Sequence, residues 1–295
     1  MEKVKFIAEI SSNHNKDLVR TKELIHASSE AGCSGVKFQL FKIDELFSNE
    51  ILSKSKKHRD RKYWELEETL IPEIADYCSK LKIKFGCSPF YLDAIDVLND
   101  YVDFFKIASY EILWKELFKH CGRTGKPVSF STGMATEIEV FDALNLLKKT
   151  NTNDITIYQC NSAYPTPIDD ANISRINVIK SIVNKIQFSK KTNISFGYSD
   201  HTVSPAVIYR AVHRYNVSLV EFHIDLDGKG EEFSAGHCWL PNQIESVIRN
   251  VNQGFLADGN GDFKPSVSEY PDRDWRTDPN DGLRPLLKIR KSFDG

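Results

Sequence analysis

The chain has 295 residues and a formal charge of −2, from 39 Lys plus Arg against 41 Asp plus Glu, so the basic excess expected of a nucleic-acid binder is missing. Hydrophobic residues at 41%, with 18 Phe and 11 Tyr, suffice for a sizeable core, while 15 Gly and 11 Pro are ordinary, which excludes disorder and collagen-like order. No apolar run approaches the roughly 18 residues that span a bilayer, and the apolar stretch in MEKVKFIAEIS is too short for a signal peptide.

A cytoplasmic location, without membrane or nucleic-acid partners, is therefore expected. In chain order, the first run rich in β-branched and aromatic residues is KFIAEI, from about residue 4. A helix follows in which Leu24, Ala27 and Ala31 share a face, with Gly32 placed for a left-handed stop. GVKFQLF begins at residue 35 and is followed by a charged insertion, LSKSKKHRDRKYW, which reads as an active-site loop. Then come IKFGCSPF, DFFKIAS and VSFSTG. Thr136 and Glu139 form a capping box ahead of the apolar face Val140, Leu144 and Leu147. ITIYQC and ISFGYSD precede Ser204-Pro205, a cap before a proline at the first helical position, and LVEFHID begins at residue 219. Eight strands alternating with helices over residues 1–255 predict an α/β fold of the (β/α)8 TIM-barrel class. An open doubly wound sheet fits less well, since no G-x-G-x-x-G turn or P-loop occurs. Residues 256–295, rich in Gly, Pro and Asp without a periodic apolar face, read as an extended C-terminal tail. The six cysteines contain no C-x-x-C pair and read as buried thiols of a reducing compartment.

Loops at the C-terminal ends of barrel strands build active sites, so polar residues there are candidates for chemistry. Glu9 lies late in the first strand, Lys37 and Gln39 in the second, Lys106 and Ser109 at the fourth, and Ser131 in the fifth. Ser162 and Tyr164 follow the sixth, Ser199 and His201 close the seventh, and Glu221 and His223 lie on the eighth. Alternation sends Lys37 and Gln39 to one face, and likewise Glu221 and His223. A lysine in an otherwise apolar strand is costly to desolvate unless an anion compensates. Two such lysines with serine hydroxyls nearby suggest a bound phosphate or carboxylate; the plainer reading is an internal ion pair with Glu9 or Glu221. His201 and His223 end adjacent strands and could share one divalent cation, whereas a single histidine there is more often just hydrogen-bonded.

At these residues the sequence resembles the sialic acid synthase family, the N-acetylneuraminate synthases and their relatives for legionaminic and pseudaminic acids. The matching blocks, in order, are AEISSNHN, AGCSGVKFQLFK, FGCSPF, FKIASYE, GKPVSFSTGMAT, YQCNSAYPTP, GYSDHT and EFH. The resemblance implies a barrel enzyme that condenses phosphoenolpyruvate with the open-chain aldehyde of an N-acyl-hexosamine. The products would be a nine-carbon 2-keto-3-deoxy acid and inorganic phosphate. It further implies that Lys37, Lys106, Ser109, Ser131, Ser162 and Ser199 bind phosphoenolpyruvate, and that His201 and His223 hold manganese or magnesium. Glu9 would stand beside the reacting carbons, Gln39 and Tyr164 on the acceptor side, and Asp227 would keep the family's acidic position.

Two departures bear on the acceptor. Family members commonly append an antifreeze-like domain whose arginine reaches the partner subunit's acceptor, and none is expected within these 295 residues; Arg273, Arg276 and Arg284, or the loop from Lys54 to Lys62, are candidates to replace it, the equally weighted alternative being a solvated charged surface. The segment DLDGKGEEFSAGHCWLP also lacks the family's P-G-P-D run. Alternatives left open are condensation with another aldose or aldose phosphate, as in Kdo-8-phosphate synthases, and a sugar-phosphate-binding barrel without turnover. A homo-oligomer is compatible with the fold class, but no sequence signal specifies one.

Overall fold

Residues 4–292 are described by a computed structural model. Its strands β1 (Lys5–Glu9), β2 (Gly35–Leu40), β3 (Lys84–Pro89), β4 (Phe104–Ile107), β5 (Val128–Ser131), β6 (Asp154–Cys160), β7 (Asn193–Asp200) and β8 (Leu219–Ile224) lie side by side in sequence order. All pairings are parallel, and β1 also pairs with β8, which closes the sheet into a barrel. The principal helices after successive strands are α1 (Leu18–Glu30), α2 (Ile71–Leu81), α3 (Asp93–Asn99), α4 (Lys115–Arg123), α5 (Glu137–Leu147), α6 (Arg175–Asn184), α7 (Pro205–Tyr215) and α8 (Pro241–Ala257). This is the (β/α)8 TIM barrel that the strand–helix alternation predicts. A ninth strand, β9 (Cys238–Trp239), pairs with β8; two residues are too few to show alternation in sequence.

The helices start and stop for local reasons. Asp17 caps α1 by accepting from the amides of Val19 and Arg20, and the chain turns out at Gly32 with φ +91°. The buried face of α1 is Thr21, Leu24, Ile25 and Ser28, one step round from the predicted Leu24–Ala27–Ala31 stripe. The capping box of Thr136 and Glu139 forms at α5, and Val140, Ala143, Leu144 and Leu147 are its buried residues. Ser204 stands at the N-cap of α7 without a side-chain bond, leaving Pro205 to set the first turn.

Alternation divides every strand between two environments. Phe38, Phe85, Phe105, Phe130, Tyr198 and Phe222 face the helices and are buried. The opposite face turns Ile7, Glu9, Lys37, Gly86, Lys106, Tyr158, Ser199 and Glu221 into the barrel. Glycine is required where rings fill that interior: a Cβ at Gly86 would lie 2.1 Å from Phe104 Cζ, and one at Gly197 2.4 Å from Tyr158 Cδ1. Large side chains thus interdigitate with glycine below a polar upper layer.

The insertion after β2 folds into short helices at Ile43–Leu46, Asn49–Lys54 and Lys56–Asp60 and a 3₁₀ turn at Arg61–Trp64. The Arg61 guanidinium lies 5.6 Å from both the Phe47 and Trp64 rings, which gives this charged excursion an aromatic anchor. The chain divides into two compact units, Met1–Asn252 and Gln253–Gly295. The second carries 3₁₀ turns at Val267–Glu269 and Arg273–Trp275 and a short helix at Leu287–Lys291. Buried Asp278 organises it by accepting from the amides of Asn280 and Leu287, local order that composition alone does not signal. Among the described residues no helix is long and apolar enough to cross a membrane. All six cysteines are buried thiols.

Candidate active site

The upper interior is built on two buried ion pairs. Register places Glu9 of β1 beside Lys37 of β2, and their side chains form a salt bridge. Lys37 also donates to Ser88 Oγ at 3.2 Å, and Glu9 accepts from the Ser11 amide at 2.8 Å and Gln39 Nε2 at 3.4 Å. Lys106 Nζ lies 2.6 Å from Glu221 Oε1 and 4.8 Å from the centre of the Tyr158 ring; Ser199 Oγ donates to the same carboxylate at 3.2 Å. The lysines are 3% and 2% exposed, so both ammonium groups are enclosed by the barrel and neither reaches the outer helices. Burial pulls the Lys37 ammonium down to about 8 against the attraction of Glu221. Burial alone would raise the Glu221 carboxyl, but Lys106 and Lys37 outweigh it and hold the group at about 2.

The internal pairs expected as the plainer reading of each lysine therefore exist. They do not use up the site's polar groups. Ser131 Oγ, Ser162 Oγ and Glu221 Oε2 are buried without a hydrogen-bond partner, an arrangement that favours a polar ligand. Ser109 Oγ accepts from the Gly133 amide at 3.1 Å, and a Cβ at Gly133 would lie 2.1 Å from Ser162 Oγ and 2.7 Å from Ser109 Oγ. Glycine lets the two hydroxyls approach the backbone closely.

A second cluster stands at the ends of β7 and β8. His201 and His223 have ring centroids 5.3 Å apart, and the Tyr164 ring lies 4.1 Å from that of His201, tilted by 38°. His201 Nδ1 donates to the Asn161 carbonyl at 2.6 Å, since a carbonyl only accepts. His223 Nδ1 donates to Glu232 Oε2 at 2.8 Å. Burial lowers both imidazoles, His223 to about 4 against the pull of Glu232, so they are neutral at pH 7. Two neutral imidazoles, each with Nδ1 committed as donor and Nε2 left with a lone pair, fit the donor set of a divalent cation.

Sequence reasoning missed Glu232 and His237 in this cluster, and Glu111 after β4. Glu232 and His237 belong to the segment between β8 and α8, where no strand or helix periodicity marks them. Ligating atoms of His223, Glu232, His237 and Cys238 all lie within 4.8 Å of one another. The available signal was the run of Glu, His and Cys just past the last barrel strand. Glu111, in the 3₁₀ turn after β4, has a carboxyl that burial pushes up to about 7 and an oxygen without a hydrogen-bond partner. Asp227 pairs with Arg20 at 3.2 Å and Lys229 at 3.5 Å and is part-exposed. In the second unit, Arg276 donates to the Arg273 carbonyl and Arg284 to Thr277 Oγ1.

The barrel interior also opens at its N-terminal end as a cavity of about 390 Å³, lined by Ile7, Phe104, Ser129, Thr156 and Tyr158 among others. None of the candidate residues lines it; they lie at the opposite end of the barrel.

A closed parallel barrel whose C-terminal mouth gathers buried lysines, hydroxyls and imidazoles has the layout of a TIM-barrel enzyme for an anionic substrate. The chain belongs to the NeuB family, whose family model matches residues 24–263. It is 30% identical to the pseudaminic acid synthase of Helicobacter pylori over 266 residues, covering 86% of this chain and 75% of that protein. It is also 30% identical to the N,N'-diacetyllegionaminic acid synthase of Campylobacter jejuni, covering 91% of this chain and 81% of the relative. Among solved structures, the N-acetylneuraminic acid synthetase of Leptospira borgpetersenii in complex with citrate superposes with a TM-score of 0.77 at 26% identity, covering 91% of this chain and 90% of that one.

Proposed function

We propose that this chain condenses phosphoenolpyruvate with the open-chain aldehyde of an N-acyl-hexosamine, releasing inorganic phosphate and a sialic-acid-like nonulosonic acid. The observation that carries this reading is the juxtaposition in one barrel of the Lys37 and Lys106 pairs and the unpartnered Ser131 and Ser162 hydroxyls with two neutral imidazoles. The names of the relatives support it, since pseudaminic and legionaminic acid synthases make acids of that class.

In this reading Lys37, Lys106, Ser109, Ser131, Ser162 and Ser199 bind the phosphate and carboxylate of phosphoenolpyruvate. Their fixed placement turns a bimolecular encounter into one oriented pair. His201 and His223 hold Mn2+ or Mg2+, which when bound supplies Lewis acidity toward the acceptor's carbonyl oxygen. The C2–C3 π pair forms the bond to the aldehyde carbon, and the aldehyde oxygen takes up a proton to become a hydroxyl. Positive charge then grows at C2, where the buried carboxylates of Glu9 and Glu221 stabilise it. Water adds to C2 and loses its proton, with Glu9 as the assigned acceptor; the C2–O bond to phosphate breaks and the keto group forms. Gln39 and Tyr164 line the acceptor side. Asp227, paired with Arg20, keeps its assignment as a substrate-binding residue.

The experiment is phosphate release from phosphoenolpyruvate in the presence of Mn2+, with N-acyl-mannosamines, diacetamido sugars and pentose phosphates as acceptors. Turnover with an N-acyl-hexosamine is expected. Turnover with pentose phosphates alone would move the acceptor class, and none with any acceptor would favour a binding protein.

A further inference from the structure

Glu232 lies on the short helix Glu231–Ala235 between β8 and β9 and gathers donors from two segments distant in sequence. Its Oε1 accepts from Ser11 Oγ at 2.5 Å, Ser12 Oγ at 2.7 Å and the Ser12 amide at 3.3 Å. Its Oε2 accepts from His223 Nδ1 at 2.8 Å, with His237 Nε2 at 3.5 Å and Cys238 Sγ at 3.8 Å. One oxygen is thus clamped to the turn after β1 and the other aims at an imidazole. A carboxylate held by that many donors has one orientation, and an ionised carboxylate only accepts. The His223 proton must then sit on Nδ1.

We propose that Glu232 is a positioning residue of the cation centre: it fixes His223 as the Nδ1–H tautomer and leaves Nε2 as the nitrogen that binds a divalent cation. The Ser11–Ser12 turn keeps the carboxylate in register. His201 obtains the same tautomer from the Asn161 carbonyl, so the two imidazoles are oriented by different partners, one neutral and one charged. The charged partner raises the basicity of His223 as a ligand, an effect that typically accounts for 10- to 100-fold in metal affinity. This inference rests on the reading that His201 and His223 hold the cation.

The test is Mn2+ binding to the full-length protein, followed by the electron paramagnetic resonance signal of free Mn2+, for wild type, H223A, E232A and E232Q. Circular dichroism checks folding, and phosphoenolpyruvate binding without metal serves as the independent readout. E232A should weaken Mn2+ binding by about 10- to 100-fold and leave phosphoenolpyruvate binding unchanged. E232Q, whose amide oxygen can still accept from Nδ1, should lose less. H223A should abolish binding. Wild-type affinity in H223A would overturn the underlying cation assignment. Wild-type affinity in E232A and E232Q, beside a loss in H223A, would overturn the positioning role alone. If E232A does not fold, E232Q decides: an unchanged affinity overturns the proposal. A loss in E232A as complete as in H223A would make Glu232 a ligand and also overturn it.

Discussion

Lys106 and Glu221 illustrate how much a single buried pair matters. Removing one partner strands a charge in the barrel, which typically costs about 3–5 kcal/mol, whereas replacing both by apolar groups is often neutral. Lys106→Met should therefore lower stability by about that amount in urea unfolding. The double variant Lys106→Met/Glu221→Met should recover most of it while remaining inactive. Lys37 carries a pH signature: its ammonium titrates at about 8 in the folded protein, below the ordinary 10.5. As pH rises through about 8 the charge proposed to hold phosphoenolpyruvate is lost, so the Michaelis constant for phosphoenolpyruvate should increase above that pH. A flat profile to pH 10 would contradict the role of Lys37. These lysines were legible in the sequence because a charge inside an apolar strand is an anomaly. Glu232 and His237 were not: Glu232 bonds to Ser11 and Ser12, 221 and 220 residues away, and only closure of the barrel makes them neighbours.

Strands and turns set the shape of the proposed phosphoenolpyruvate site. Gly133 sits between Ser109 and Ser162 with no room for a methyl group. Gly133→Ala should fill the cradle, weakening phosphoenolpyruvate binding by at least tenfold in calorimetric titration while the far-ultraviolet spectrum stays native. Unchanged binding would remove the cradle from the site. The eight strands were readable because short runs of β-branched and aromatic residues recur eight times along the chain. β9 was not, though it matters: Trp239 Nε1 donates to Asp200 Oδ2 at 3.0 Å, tying the ninth strand to the residue that precedes His201. The insertion after β2 was visible as charge, but its short helices were not, since none is long enough to show a period.

Across the molecule, buried titratable groups make the fold acid-sensitive. Glu221 is held at about 2 when folded and returns to its ordinary 4.5 when unfolded, so its stabilisation is complete above pH 4.5 and is lost as pH falls toward 2. Burial lowers His14 to about 4 from 6.5, so the unfolded chain binds the extra proton first and stability already falls between pH 6.5 and 4. Melting temperature should thus decline steadily from pH 6.5 downward; a plateau to pH 4 would contradict the buried, neutral state of His14. Fold class was legible at this scale because a barrel repeats one unit. The order within Gln253–Gly295 was not, because it depends on side-chain capping by Asp278 instead of periodicity.

In the proposed function one barrel mouth holds an anion and a divalent cation side by side. Phosphorus-31 resonance of phosphoenolpyruvate bound to the Mn2+-loaded protein tests it directly. Strong paramagnetic broadening is expected, and it should vanish in the His201→Ala/His223→Ala variant while the ligand remains bound. Bound phosphoenolpyruvate with an unbroadened signal, beside protein-bound Mn2+, would contradict the account.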